Sequence, residues 1–156
     1  EEFVSLSRET EIVARYVEIQ RIRLSGSFAF VLNIPPELEE ALVPKMMLQP
    51  LVENANLHGL SGQPDGEIQI QAWCRGVVLT LAVRDNGHGL PPELEGPYAS
   101  RDRERSRGHL GLYNVDTILR KHYGAQFGLF LSNRTDCAGA QITAVLPLHI
   151  KEEEPC

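Results

Sequence analysis

The chain has 156 residues, a formal net charge of −6 and a hydrophobic content of 42%, which suit one globular domain with a real core. Its acidic balance and the lack of a basic stripe disfavour nucleic-acid binding, because phosphate neutralisation needs clustered Lys and Arg. Cys74, Cys137 and Cys156 follow neither a zinc spacing nor a disulfide framework, and no apolar run approaches the roughly 20 residues of a membrane helix.

The first predicted elements are two helices with a strand between them. An amphipathic helix is expected over residues 5–22, with Ser7 as its N-terminal cap. A strand over residues 28–34 follows. The second helix is predicted over residues 44–58, and because Pro50 lacks a backbone donor, that helix should kink or restart there.

The second half of the chain alternates strands with a polar segment and a helix. Residues 67–73 and 77–84 alternate apolar and polar side chains, which predicts a hairpin. Residues 90–107 are rich in Pro and Arg and poor in apolar side chains, as is typical of a mobile loop or lid. One helix and two strands remain, over residues 110–123, 126–132 and 140–148. This order of elements predicts an α+β two-layer sandwich.

The first candidate site lies on the second helix. Asn54 and His58 are four residues apart and would share one helix face. The carboxamide oxygen of Asn54 is a hard ligand suited to Mg²⁺, which takes its other ligands from water and substrate phosphates. His58 could donate to a phosphate oxygen. The alternative is that Glu53 and Asn54 are solvated and that His58 interacts with the helix dipole, and this helix by itself favours the alternative.

The second candidate site is the segment that begins at Asp85, directly after an apolar strand. A carboxylate at a strand end can accept a hydrogen bond from an exocyclic amine, as in adenine recognition. Gly87 and Gly89 would let the backbone approach a ligand closely. The alternative is an ordinary Asn-Gly hairpin turn. Leu90 and two prolines follow instead of a paired strand, which favours the ligand site.

The third candidate site is the glycine pair that leads into the helix over residues 110–123. Gly108 and Gly111 would present free N–H groups and the positive end of the helix dipole to an anion. The alternative is a plain hinge, and no Walker loop is present because no Gly-Lys-Ser or Gly-Lys-Thr occurs. Most arginines of residues 90–107 suit a solvated surface, and Arg107 is the best placed to reach a phosphate.

The three sites resemble, in their order and spacing, the GHKL ATPase/kinase superfamily of gyrase, heat-shock chaperones, mismatch-repair ATPases and histidine kinases. Asn54 matches its N box, Asp85 to Gly89 its first glycine box and Gly108 to Gly111 its second. The resemblance is closest to the LytS-type sensor histidine kinases. It is carried by residues 15–23 (RYVEIQRIR), 44–59 (PKMMLQPLVENANLHG) and 111–116 (GLYNVD).

This resemblance implies a Bergerat-type fold, a mixed and mostly antiparallel sheet with helices on one face and ATP held under a mobile lid. Asn54 would bind Mg²⁺, with the adjacent Glu53 as a second candidate catalytic residue, and Asp85 would read the adenine amine. The implied nucleotide-contacting set is Asn54, His58, Asp85, Gly87, Gly89, Leu90, Arg107, Gly108, His109, Leu110, Gly111, Leu112 and Asn114.

Three positions depart from the family pattern. Leu57 stands where the family usually has Lys or Arg, and Pro50 stands where the hydrolysing relatives have a Glu general base. No carboxylate at residue 50 can activate water, which favours a kinase over a hydrolase. The late Gly-Gly-Thr element is reduced to Ala138-Gly139-Ala140.

The resemblance therefore implies the ATP-binding catalytic domain of a two-component sensor histidine kinase. No His precedes residue 58, so the γ-phosphoryl of MgATP would pass to a histidine outside this chain. Residues 1–24 would lead in from an upstream dimerisation and phosphoacceptor segment, residues 25–150 would form the catalytic domain, and residues 151–156 a flexible tail.

A dimeric, membrane-bound parent would hold this domain on the cytoplasmic side and pass phosphate to a response regulator, of LytTR type or similar. The main alternative is a nucleotide-binding interaction module with impaired catalysis, a pseudokinase, which Leu57 motivates. A gyrase- or chaperone-type ATPase is disfavoured by Pro50 and by the size of the chain.

Overall fold

Two layers organise the fold: a six-stranded sheet and a set of helices packed on its buried face. The computed structural model of the chain describes residues 2–24, 28–55, 57–98 and 110–150. Its elements are β1 (Phe3–Ser5), α1 (Leu6–Leu24), β2 (Ala29–Asn33), β3 (Leu42–Pro44), α2 (Leu48–Glu53), α3 (Leu57–Ser61), β4 (Glu67–Arg75), β5 (Val78–Asp85), β6 (Gly96–Pro97), α4 (Leu110–Tyr123), β7 (Gly128–Asn133) and β8 (Ala140–Pro147), with short 3₁₀ turns at Pro36–Leu38 and Pro92–Leu94.

The main sheet has the strand order β2-β4-β5-β8-β7-β6, in which β2 pairs with β4 in parallel and all other neighbours are antiparallel. Strands β4 and β8 alternate buried and partly exposed residues, so one face of the sheet forms the core. The predicted α+β sandwich and its mixed, mostly antiparallel sheet are confirmed. None of the described helices combines the length and the apolar character needed to cross a bilayer.

Helix α1 begins at Leu6, and the predicted cap at Ser7 is wrong. The hydroxyl Oγ of Ser5 accepts a hydrogen bond from the backbone N–H of Arg8 at 3.1 Å, which is the geometry of an N-terminal cap. Ser5 is also the last residue of β1, which pairs with β3 to form a separate two-stranded ribbon. That non-local pairing determines where α1 begins, and the spacing of apolar residues along α1 does not show it.

The predicted helix over residues 44–58 is wrong in its extent. Pro44 ends strand β3, and α2 starts only at Leu48, so Pro50 lies in the first helical turn. An N–H group in that turn has no partner within the helix, and Pro50 is therefore accommodated without a kink. The break comes later, after Asn54, and α3 begins at Leu57.

Within the first part of residues 90–107, strand β6 pairs with β7 and Tyr98 is only 2% exposed. The lid itself stays a prediction. Residues 99–107 lie outside the described residues.

Candidate nucleotide-binding site

A cleft of about 250 Å³ opens beside the break that follows α2 and the loop that follows β5. Asn54 and Asp85, the two polar residues singled out from the sequence, both line it. The whole described lining is Asn54, Leu60, Gln63, Asp85, Gly87, His88, Gly89, Leu90 and Ala140. The fold thus brings the N box and the first glycine box to one cavity.

Asp85 presents one carboxylate oxygen to the protein and leaves the other available. Its Oδ1 accepts hydrogen bonds from the backbone N–H of Gly87 at 2.9 Å and of Ala140 at 3.3 Å. Its Oδ2 has no hydrogen-bond partner among the described residues. Since Oδ1 holds the carboxylate in place, Oδ2 can accept a hydrogen bond from a ligand amine in the cleft.

The backbone of Asp85 is also fixed, through a pair of arginines around Asp136. Arg134 donates from Nη1 to the carbonyl oxygen of Asp85 at 3.3 Å and from Nη2 to Asp136 at 2.8 Å. Arg84 donates to the same Asp136 carboxylate at 3.1 Å. The hydrogen bond from Arg134 holds the pKa of Asp136 well below its usual range, so the anion that orients Arg134 persists at acidic pH values where an ordinary Asp is protonated.

Gly89 and Leu90 are held by the end of β7. The Asn133 side chain accepts from the N–H of Leu90 at 2.7 Å and donates to its carbonyl at 2.8 Å. Gly89 has a φ of 83°, and a Cβ there would lie 2.6 Å from Oδ1 of Asn133. A side chain at Gly89 would therefore break the contact that holds this wall of the cleft.

Gly139 supports the site, and its role was not predicted from the sequence. Its φ is 131°, and a Cβ would collide with the carbonyl oxygen of Asp85 and lie 2.8 Å from the carbonyl carbon. The neighbouring Ala140 supplies both an N–H for Asp85 and part of the cleft wall. The signal was present, since the reduced Ala138-Gly139-Ala140 element keeps the one glycine that this close approach requires.

Gly111 lets α4 approach α2 closely. A Cβ on Gly111 would lie 3.1 Å from Cβ of Pro50, in the first turn of α2. This glycine therefore has a packing role in addition to the anion-binding role predicted for it. Arg107, Gly108 and His109 lie outside the described residues.

The structure does not place the other predicted residues in the cleft lining. His58 and Leu110 belong to α3 and α4, but their side chains lie outside the described part of the structure. Because the helix breaks after Asn54, Asn54 and His58 do not share one helix face, and that prediction is wrong. Glu53, Leu112 and Asn114 are described and do not line the cleft.

Each of those three side chains has another environment. Glu53 is exposed and accepts a hydrogen bond from Gln49 at 2.9 Å, Leu112 packs in the hydrophobic core, and Asn114 is exposed on α4. Leu57, at the position where the family usually has a basic residue, is 7% exposed and belongs to the same core. The structure therefore directs this side chain away from solvent.

The sequence of residues 40–150 matches the family described as histidine kinase-, DNA gyrase B-, and HSP90-like ATPase. The chain belongs to this family. The resemblance to the GHKL superfamily is thereby confirmed, and so is the Bergerat-type fold that it implied.

Sensor histidine kinases are among the relatives of this GHKL domain. It is 33% identical over 147 residues to the sensor histidine kinase BtsS of Escherichia coli (strain K12), a match that covers 94% of the chain and 24% of the relative. It is 28% identical over 153 residues to the sensor protein LytS of Bacillus anthracis, covering 97% of the chain and 26% of the relative. The chain spans about a quarter of the length of these curated relatives.

Solved structures share the fold. The catalytic domain of histidine kinase ThkA superimposes with a TM-score of 0.70 at 17% identity, covering 96% of this GHKL domain and 97% of that chain. The mycobacterial sensor histidine kinase MprB gives a TM-score of 0.63 at 22% identity, covering 96% of this GHKL domain and 99% of that chain. At these identities the likeness concerns the fold.

Proposed function

We propose that this GHKL domain is the ATP-binding catalytic domain of a sensor histidine kinase and transfers the γ-phosphoryl group of MgATP to a histidine outside the chain. The observation that carries the proposal is the carboxylate of Asp85, fixed through Oδ1 and open at Oδ2, in the same cleft as Asn54. The acceptor oxygen of Asp85 suits the adenine amine, and the carboxamide oxygen of Asn54 suits a hydrated Mg²⁺.

The described residues fit Mg²⁺ carried by nucleotide phosphates. Within those residues no three His, Cys, Asp or Glu side chains come together as a metal site. Mg²⁺ commonly takes one or two protein ligands and completes its shell with water and phosphate oxygens, so the carboxamide of Asn54 is a sufficient protein contribution. When bound, the ion would neutralise phosphate charge, and Asn54 would orient it.

The chemistry supported best is transfer to a protein acceptor. Among the described cleft residues Asp85 is the only carboxylate, and the role proposed for it is to accept the adenine amine. Residue 50 is Pro, and no side chain there can activate water. Phosphoryl transfer depends mainly on positioning and charge neutralisation, which such a cleft can provide without a general base for water. Glu53, exposed beside Asn54, is proposed as a second catalytic residue.

The proposed partners follow from the relatives. A second solved structure shows ThkA in complex with the response regulator protein TrrA. That structure shares the fold with a TM-score of 0.62 at 18% identity. By analogy, we propose that the present chain also has a response regulator as a partner, of LytTR type or similar. The parent would be a membrane-bound homodimer that carries this domain on its cytoplasmic side and supplies the acceptor histidine from an upstream segment.

The test uses the full-length parent protein and ATP labelled at the γ-phosphate. We expect acid-labile label on the protein that requires Mg²⁺, and a loss of at least tenfold in Asn54→Ala. Asn33→Ala is the matched control, because Asn33 is exposed at the end of β2 and does not line the cleft. Absence of MgATP binding by the parent would contradict the proposal. Binding without transfer would identify the pseudokinase alternative, which Leu57 favours.

A further inference from the structure

Glu9 is a charged residue on the buried face of α1. Its side chain is 1% exposed and lies on the same helix face as Val13 and Val17, which are fully buried against the core. A buried carboxylate is destabilising unless hydrogen bonds satisfy it. No Lys, Arg or His forms an ion pair with it among the described residues. The hydrogen-bond partners of Glu9 therefore determine whether its burial is tolerated.

Those partners are backbone N–H groups at the start of α2. Oε1 of Glu9 accepts from the N–H of Met46 at 2.8 Å, and Oε2 accepts from the N–H of Leu48 at 3.2 Å. Met47 occupies the cap position of α2 and provides no side-chain acceptor. Helix α2 therefore takes its cap from another helix, 39 residues earlier in the chain.

The backbone at Met46 adopts an unusual conformation where it contacts Glu9. Met46 has a φ of 65° and is the only described non-glycine residue with a positive φ. Such a conformation is unfavourable for a side-chain-bearing residue and persists when surrounding contacts impose it. Here the N–H of Met46 is bound by Glu9, and the preceding N–H of Lys45 is bound by the carbonyl of Glu2 at 2.9 Å.

We propose that Glu9 is a positioning residue for Asn54. Helix α2 has six residues, Leu48–Glu53, and Asn54 follows directly, so the place where α2 begins determines where Asn54 lies. A slip of one residue would move Asn54 by about 1.5 Å along the helix and turn it by about 100°. Neither hydrogen-bond partner of Glu9 lines the cleft, so Glu9 acts on Asn54 through the start of α2. The inference rests on the proposed function, because Mg²⁺ binding by Asn54 is part of that proposal.

The test measures how much Mg²⁺ strengthens ATP binding. Glu9→Gln keeps the shape of the side chain but turns one acceptor into an amide that faces a backbone N–H. We expect the ratio of ATP dissociation constants, in excess EDTA and in excess Mg²⁺, to fall at least fivefold in Glu9→Gln relative to the wild type. Glu9→Asp keeps the charge on a shorter stem and should give an intermediate ratio.

Asp116→Asn is the matched control. Asp116 is likewise 1% exposed and accepts a backbone N–H, that of Leu129 at 3.0 Å, as well as the Nε–H of Arg120 at 2.9 Å, so its hydrogen bonds join α4 to β7 and none of them reaches α2. We expect this variant to melt at a lower temperature and to keep the Mg²⁺ ratio within twofold of the wild type. A purely structural role for Glu9 predicts the same pattern in Glu9→Gln.

The outcomes separate the two proposals. A wild-type chain whose ATP affinity does not respond to Mg²⁺ contradicts the proposed function. A wild-type response that survives unchanged in both Glu9→Gln and Glu9→Asp overturns the positioning role of Glu9 and leaves the proposed function standing. A loss of the response in the Glu9 variants, with the response retained in Asp116→Asn, supports the inference.

Discussion

Replacing Gly139 with alanine perturbs the part of the cleft formed by Asp85 through the backbone alone. A Cβ at residue 139 would lie 2.8 Å from the carbonyl carbon of Asp85 and 2.9 Å from Cα of Asn86. Ordinary van der Waals contact begins near 3.4 Å, so the backbone of residues 85 and 86 must move by at least half an ångström. The hydrogen bond from Ala140 to Oδ1 of Asp85 is already long at 3.3 Å and should break.

Gly139→Ala should change both the free energy of unfolding and the affinity for the nucleotide. The positive φ of Gly139 is strained for alanine by about 1–3 kcal/mol, and the collision adds to this, so unfolding should become easier by about 2–4 kcal/mol. Displacement of Asp85 should remove a charge-assisted hydrogen bond to the nucleotide, worth about 1.5–3 kcal/mol. That corresponds to a roughly ten- to hundredfold rise in the dissociation constant.

Gly96→Ala separates strain from collision. Gly96 has a φ of 120°, close to that of Gly139, but a Cβ there would meet nothing within 4 Å. Both variants should lose stability in urea denaturation, whereas isothermal titration with a MgATP analogue should show weaker binding only in Gly139→Ala. Wild-type affinity in Gly139→Ala, or an equal loss in Gly96→Ala, would refute the reasoning.

Three further predictions concern the core and the helix contact. Leu57→Lys should lower the free energy of unfolding by about 2–4 kcal/mol in urea, because the residue is buried, and an unchanged midpoint would contradict its placement. Gly111→Ala should weaken binding of a MgATP analogue severalfold, since its Cβ would press on Pro50 at 3.1 Å and separate α4 from α2, and wild-type affinity would contradict this close packing. Burial raises the pKa of the Tyr123 phenol, so its contribution to stability should hold below the unfolded value near 10 and decline as pH rises through the folded value. Absorbance at 295 nm should show a late-ionising phenol that Tyr123→Phe removes.

The sequence predicted those helices and strands that are specified by residues close together in the chain. The hairpin of β4 and β5, helix α4 and the strands β7 and β8 follow from alternation, helical periodicity and breakers, and their bounds shift by only a few residues. Asp85 was identified because a carboxylate at the end of an apolar strand, followed by glycines, has few structural explanations. The family resemblance connected Asp85 with Asn54 as parts of one nucleotide site, and both residues line the same cleft.

The features that were missed depend on contacts between distant residues. The ribbon of β1 and β3 joins segments about 40 residues apart, and its short strands carry no periodic signal. Glu9 looks like an ordinary polar residue of an amphipathic helix until α2 is placed beside it. Gly139 likewise shows its role only when Asp85 is adjacent in space. Helical periodicity also continued through Asn54, although the helix ends there.

Binding of ATP and of GTP to the domain, compared in excess Mg²⁺, reports on whether Asp85 reads the base. If Oδ2 of Asp85 accepts the adenine amine, ATP should bind at least tenfold more tightly than GTP, whose corresponding atom is an acceptor. Asp85→Asn should abolish that preference while retaining the fold by circular dichroism. Equal affinity of the wild type for ATP and GTP, or a preference that persists in Asp85→Asn, would contradict the assignment of this cleft.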